Sequence, residues 1–207
     1  MKRITELLLC ISCLITAACV REDMSNCTLP LNVSLTFSYT RDTYDPSMFD
    51  KTVDHIILMV FDENGSRVTN IEVNKKELEK SREVQLSLSP GNYRAVCWGN
   101  SDEHTETADC EFLSRGRLHH PGHRLGTEIS TNSHLYYGVY GFSVPKNGLV
   151  EGDIPLRGAH INIEVYIRSD VSGKGNYEVK AHNLMPQYNL EMLPAQPFAT
   201  TYCPQMG

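Results

Sequence analysis

Leu31, Val33, Leu35, Phe37 and Tyr39 alternate with Asn32, Ser34, Thr36 and Ser38. Apolar side chains at period two put one face in a core and the other in water, which marks a strand of an antiparallel sheet. Residues 53–61 are apolar almost without interruption and predict a central strand buried on both faces. Asp62-Glu63-Asn64-Gly65 turns the chain, because glycine tolerates positive φ, and residues 66–73 return as the hairpin partner. Residues 74–81 are the single helical excursion: Asn74 can cap it, and Glu77 stands three positions on, as in a capping box. Further strands are predicted over 82–88, 93–98, 135–142, 154–156, 160–167 and 176–181, with Ser89-Pro90-Gly91-Asn92 a strong turn between the first two.

Short strands at regular spacing with turn chemistry between them predict an all-β protein, a β-sandwich. Residues 99–134 show no convincing periodicity and read as a long loop region, of a length that often carries function. Residues 157–207 supply only two or three strands, and about 50 residues rarely bury enough surface to fold alone. Either they complete the first sandwich or they open a second one that the chain does not finish. The second alternative is preferred, giving an N-terminal sandwich over 31–156 and a partial second sandwich over 157–207.

The front of the chain carries a different pattern. Met1-Lys2-Arg3 is a positive start, Leu7 to Ala18 is free of charge, and Thr16-Ala17-Ala18 suits a signal peptidase. Residues 1–18 therefore read as a secretory signal peptide, with Glu6 an untidy departure. The next residue is Cys19, as in a bacterial lipobox, although Thr16 stands where Leu is usual. Lipidation of Cys19 would give a multiply acylated and therefore stable membrane anchor. Residues 19–30 then form a short polar tether.

Composition narrows the classes. The 207 residues carry a net charge of −6, and losing Lys2, Arg3 and Glu6 with the signal makes the remainder one unit more acidic. That balance argues against nucleic acid as a partner, which a basic face would bind. No apolar run approaches the length of a spanning helix. Of seven cysteines, Cys10 and Cys13 leave with the signal and Cys19 is lipidated. Cys27, Cys97, Cys110 and Cys203 remain, and four cysteines allow three pairings. The pair Cys97 and Cys110 is the candidate disulfide, with free thiols the alternative.

No catalytic motif is present: the chain lacks G-x-S-x-G, S-x-x-K, H-E-x-x-H and any glycine-rich phosphate loop. The chain is therefore read as a non-enzyme, with no cofactor and no small-molecule substrate. His119-His120-Pro121-Gly122-His123, with His104 and His134 near in sequence, is tempting as a metal site. Pro121-Gly122 breaks any element that would fix the rings, so no metal site is assigned and a solvated loop is expected. Trp98 and the run Tyr136-Tyr137 with Tyr140 could present flat rings to a sugar, or could serve packing. The acids Asp102, Glu103 and Glu106 match no calcium loop.

The run from Cys19 to Cys27 leads into Pro30-Leu31 and a first strand. It is followed in order by Met48-Phe49, Val53-Asp54-His55-Ile56, Val60-Phe61-Asp62-Glu63-Asn64-Gly65 and Leu88-Ser89-Pro90-Gly91-Asn92-Tyr93, running on to Trp98-Gly99. This order of blocks resembles the FimB-like fimbrial anchor lipoproteins, over roughly residues 1–170. The resemblance implies two transthyretin-like β-sandwich domains and a lipid in the outer membrane. It also implies a surface-exposed protein that anchors or assembles fimbriae, with fimbrial structural subunits as partners bound by strand-type pairing. Leu156-Arg157-Gly158-Ala159 resembles the start of the second domain, which would be half built where the chain reaches Cys203-Pro204. A surface glycan-binding lipoprotein is the alternative.

Overall fold

The computed structural model describes residues 31–40, 47–102, 104–120, 128–129, 133–160, 163–166, 177–195 and 200–203. The signal peptide, Cys19, the tether and Cys27 lie outside the described residues.

The chain runs β1 (Val33–Tyr39), α1 (Ser47–Thr52), β2 (Ile56–Asp62), β3 (Arg67–Val73), α2 (Lys75–Lys80), β4 (Glu83–Leu86) and β5 (Gly91–Gly99). It continues through β6 (Glu106–Ala108), β7 (Arg117–His119), β8 (Glu128–Ile129), β9 (Tyr136–Val144), β10 (Val150–Gly158), β11 (Ala181–Leu184), β12 (Gln187–Asn189) and β13 (Thr200–Tyr202). Seven strands form one curled sheet in the order β3-β2-β5-β9-β10-β1-β4. β5 and β9 pair along their whole length, from Gly91 opposite Val144 to Gly99 opposite Tyr136. β9 and β10 pair only at Tyr137 with Arg157 and Tyr136 with Gly158. The sheet folds over at that seam, and its two halves become the layers of a β-sandwich. β1 lies parallel to β10 and antiparallel to β4.

The core between the layers is built by the alternation. Val33, Leu35 and Phe37 of β1 and Ile154 and Leu156 of β10 meet Leu58 and Val60 of β2 and Ala95 and Cys97 of β5. Two glycines allow the close approach at the seam. A Cβ on Gly138 would stand 2.8 Å from both Ile154 and Leu156, and one on Gly152 would run into the Tyr140 ring.

β2 is apolar on both faces, as expected, because the outer face of its layer is also covered. Met59, Phe61, Val96, Trp98 and Tyr137 project there and pack against Leu118 and Leu190, with Leu113 and Met192 at the margin. Leu118 belongs to β7, which pairs with β6 and with β12, so a small three-stranded sheet carries the cover. The 99–134 region thus contains the short strands β6, β7 and β8, where sequence periodicity predicts none.

The helix expected over 74–81 is α2, though it is not the single one, since α1 precedes it, and its capping box forms. The Glu77 N–H donates to Asn74 Oδ1 at 3.2 Å, and the Asn74 N–H donates to Glu77 Oε2 at 2.9 Å. The strand expected over 160–167 does not form in its described part: residues 163–166 have no strand partner among the described residues, and Ile163 and Val165 are 70% and 54% exposed. Alternation makes a strand only where a neighbour accepts its hydrogen bonds. The strand expected over 176–181 falls instead at β11.

Candidate functional site

The C-terminal end of β5, the N-terminal end of β9 and the end of β10 converge on a cleft of about 820 Å³. Trp98 is part of its lining, and the walls carry His104, His119, His120, His134 and His160. Hydrogen-bonding clamps hold the strand ends around it. Asn100 adopts positive φ at the end of β5, where it accepts from the Asp54 N–H at 2.8 Å and donates from its amide to the Thr52 carbonyl at 2.7 Å. His55 Nε2 lies 2.7 Å from the Ser101 carbonyl. Ser133, which is buried, donates to Asp102 and lies 2.7 Å from the Thr105 hydroxyl.

The histidines are paired. His134 and His160 stack with ring centroids 5.0 Å apart and planes 13° from parallel. His104 and His120 stack at 5.9 Å and 12°. His119 faces Glu106 at 3.4 Å, an exposed contact across the β6–β7 pair. His160 Nδ1 lies 2.9 Å from the Leu135 carbonyl, which makes Nδ1 the protonated nitrogen of the neutral ring. Sequence proximity singled out His104, His119, His120 and His134. The fold brings these together and adds His160, which only the β10 crossover places beside them. His123, Pro121 and Gly122 lie outside the described residues. Among the described residues no three His, Cys, Asp or Glu side chains are arranged to hold a metal ion.

Asp102 lies in a recess beside the cleft. Burial alone would raise its pKa. Hydrogen bonds from the Ser133 hydroxyl and the His104 N–H, with the charge of the His104 ring, outweigh that and hold the carboxyl below its ordinary value.

The candidate disulfide does not form. Cys97 points into the core between the two layers, whereas Cys110 packs on the outer face against the Trp98 cluster, and both are free thiols. The reason is parity: consecutive residues of β5 alternate faces, and the 110–118 cover lies on the Trp98 side. Cys203 is half-buried just after β13. Burial pushes the Cys97 thiol far above the ordinary thiol range.

The rings that could stack on a sugar are not displayed. Trp98 is 2% exposed and tilted against Tyr137 at 4.9 Å. Tyr136 and Tyr137 are buried, and Tyr140 is half-buried beneath the seam. Strand alternation divides β9 between two faces: Tyr136 and Tyr140 face the core, and Tyr137 faces the outer cluster.

A second feature is the two ends of the large sheet. β3 and β4 are its outer strands, and the seam leaves β9 and β10 joined through two residue pairs. No helix among the described residues is long and apolar enough to cross a membrane.

This sandwich has solved counterparts. The fimbrial anchor protein Mfa2 of Porphyromonas gingivalis superposes with a TM-score of 0.62 at 18% identity, covering 83% of this chain and 65% of that one. A candidate adhesin of Bacteroides thetaiotaomicron gives 0.62 at 20% identity, over 83% and 61%. A candidate polysaccharide-binding protein of the same organism gives 0.61 at 16% identity, over 82% and 63%. The chain thus spans 61–65% of the length of these structures. At such identities the likeness is one of fold. No curated protein matches the chain. The model of the fimbrillin-A associated anchor proteins Mfa1 and Mfa2 matches residues 24–207, and the chain belongs to that family.

Proposed function

We propose that this protein is a lipid-anchored subunit of a surface fimbrium, held in the outer membrane through Cys19. In this reading it binds a fimbrial structural subunit by strand pairing. The observation that carries the reading is the family match across residues 24–207, in a family of fimbrial anchor proteins. The lipobox-like Thr16-Ala17-Ala18-Cys19 supports the membrane attachment. Pairing through backbone groups needs a strand edge, and the outer strands β3 and β4 and the sparsely paired β9–β10 seam supply the candidates. Of residues 157–207, Arg157 and Gly158 complete β10 and residues 187–190 cover the first sandwich, so a second sandwich is proposed to start only from the remainder.

The test is fibre partitioning in a Cys19→Ala strain. Fimbrial subunit is measured in washed cells and in culture medium beside the wild type. The expected outcome is transfer of fibres to the medium with total subunit unchanged. Fibres that stay with the cells as in the wild type would sink the lipid-anchor reading.

A further inference from the structure

We infer that β1 and β10 form a mechanical clamp: a parallel strand pair, loaded in shear, that carries tension between the N-terminal tether and the residues that follow β10. The inference rests on the anchor reading only for the source of the tension, since a lipid held in a membrane would pull on β1 through residues 19–30.

The direction of the chain sets the geometry. β1 and β10 run parallel, side by side, from Val33 opposite Val150 to Tyr39 opposite Leu156. The chain enters β1 at the Val33 end and leaves β10 at Gly158, beyond the opposite end of the pair. Pulling on the chain before β1 and after β10 therefore draws the two strands past each other along their own axes. The hydrogen bonds of a parallel pair are evenly spaced along the strands, so they bear the force together. In an antiparallel pair both pulls would act at one end and part the bonds one at a time.

Both ends of the pair are fastened. At the near end, the Asn32 N–H donates to the Leu86 carbonyl at 3.0 Å, and the Asn32 carbonyl accepts from the Val150 N–H at 2.9 Å. The Asn32 side chain donates to the Leu88 carbonyl at 2.8 Å and accepts from the Leu88 N–H at 3.0 Å. Tension arriving through Leu31 thus meets a residue bonded to β10 on one side and to β4 and the residues after it on the other. At the far end, the Thr40 N–H donates to the Leu156 carbonyl at 2.8 Å.

Side chains add links on both faces. On the wet face, Thr36 Oγ1 lies 3.2 Å from the Gly152 carbonyl and 3.1 Å from Asp153 Oδ1, and the Ser38 hydroxyl donates to Asp153 Oδ2 at 2.6 Å. Hydrogen bonds to a carboxylate are stronger than those between neutral groups. On the core face, Val33, Leu35 and Phe37 are buried with Ile154 and Leu156, so sliding β1 also drags apolar side chains through a close-packed interior. β10 is joined to β9 only at Tyr136 and Tyr137, which leaves β1 as its main partner in the sheet.

The experiment is single-molecule force spectroscopy on the full chain, with handles at pairs of exposed positions. Leu31, just before β1, is 59% exposed, and Ile163, after β10, is 70% exposed. Asn147 is exposed in the turn between β9 and β10. Pulling Leu31 against Ile163 loads the pair in shear. Pulling Leu31 against Asn147 draws on the same two strands from one end, because Val150 lies opposite Val33. Forced unfolding reads the rate of unfolding rather than the equilibrium stability, so one fold can yield at two different forces. The rupture force is expected to be several-fold higher for the Leu31–Ile163 arrangement. Equal forces, or a higher force for Leu31–Asn147, overturn the inference. Leu149, exposed in the same turn, takes the handle if one at Asn147 disturbs the fold. Neither lipid nor fibre enters the measurement, so its failure is separate from that of the Cys19→Ala test.

Discussion

On β5, two neighbouring residues have opposite chemical fates. Cys97 and Trp98 leave the strand on different faces, one into the core between the layers and one into the outer cluster. The reactive form of a thiol is the thiolate, and burial keeps Cys97 protonated far beyond the ordinary range. Cys110 is also raised by burial, but a hydrogen bond from Thr107, the charge of Arg67 and the Arg117 backbone offset part of that. Alkylation of the native protein at pH 8, followed by peptide mass spectrometry, should therefore modify Cys110 well before Cys97. Cys97 should react only at the rate of unfolding, and no peptide linking the two is expected. Comparable labelling rates would show that β5 does not present Cys97 to the core. The same parity explains why the pairing of the two cysteines could not be excluded from sequence alone: spacing says how long a loop would be, but not on which side of the sheet it lies.

At the scale of elements, α2 is the segment where local chemistry and fold agree most closely. Asn74 and Glu77 satisfy each other's backbone donors, and Leu78 is the one buried side chain of the helix. Six residues are far too few to be helical alone, so the cap and the buried leucine together hold it. Asn74→Ala should cost about 1 kcal/mol, read as a fall of about 2–4 °C in the thermal midpoint of a domain this size. An unchanged midpoint would mean that Leu78 packing alone holds the helix. β1, β2, β5 and β9 were legible for a related reason: each shows its core face as an apolar run or alternation within its own residues, whereas β3 was legible from the Asp62–Gly65 turn before it. β10 was legible only around Ile154 and Leu156, since Glu151, Gly152 and Asp153 give no apolar signal. β6, β7 and β12 were not legible. Three residues such as Glu106-Thr107-Ala108 contain no period, and the pairing that makes β7 a strand comes from 187–189, about 70 residues away. The alternation through Ile163 and Val165 shows the converse, a strand pattern with no described partner.

Across the whole molecule, the apolar outer face of β2 was readable, but its cover was not. Met59, Phe61 and Trp98 required a layer above them, and the fold assembles it from Leu118 of β7 and Leu190 just after β12. Leu190 is fully buried and lies against Gly116 so closely that a Cβ there would come within 2.3 Å of it. An ion pair between Arg94 of β5 and Glu191, at 3.0 Å, ties the same segment to the sheet. That pair is half-exposed and worth little by itself, so the leucine should dominate. Leu190→Ala removes a buried side chain from a position that the glycine beneath it cannot fill, and the expected cost is about 2–5 kcal/mol. If residues 187–192 fold as part of the sandwich, chemical unfolding of this variant should remain a single transition at lower denaturant, with tryptophan emission and circular dichroism changing together. A variant whose emission shifts red while the main transition stays in place would instead mean that the cover can leave without the sheet, and that the sandwich between the two layers is stable bare.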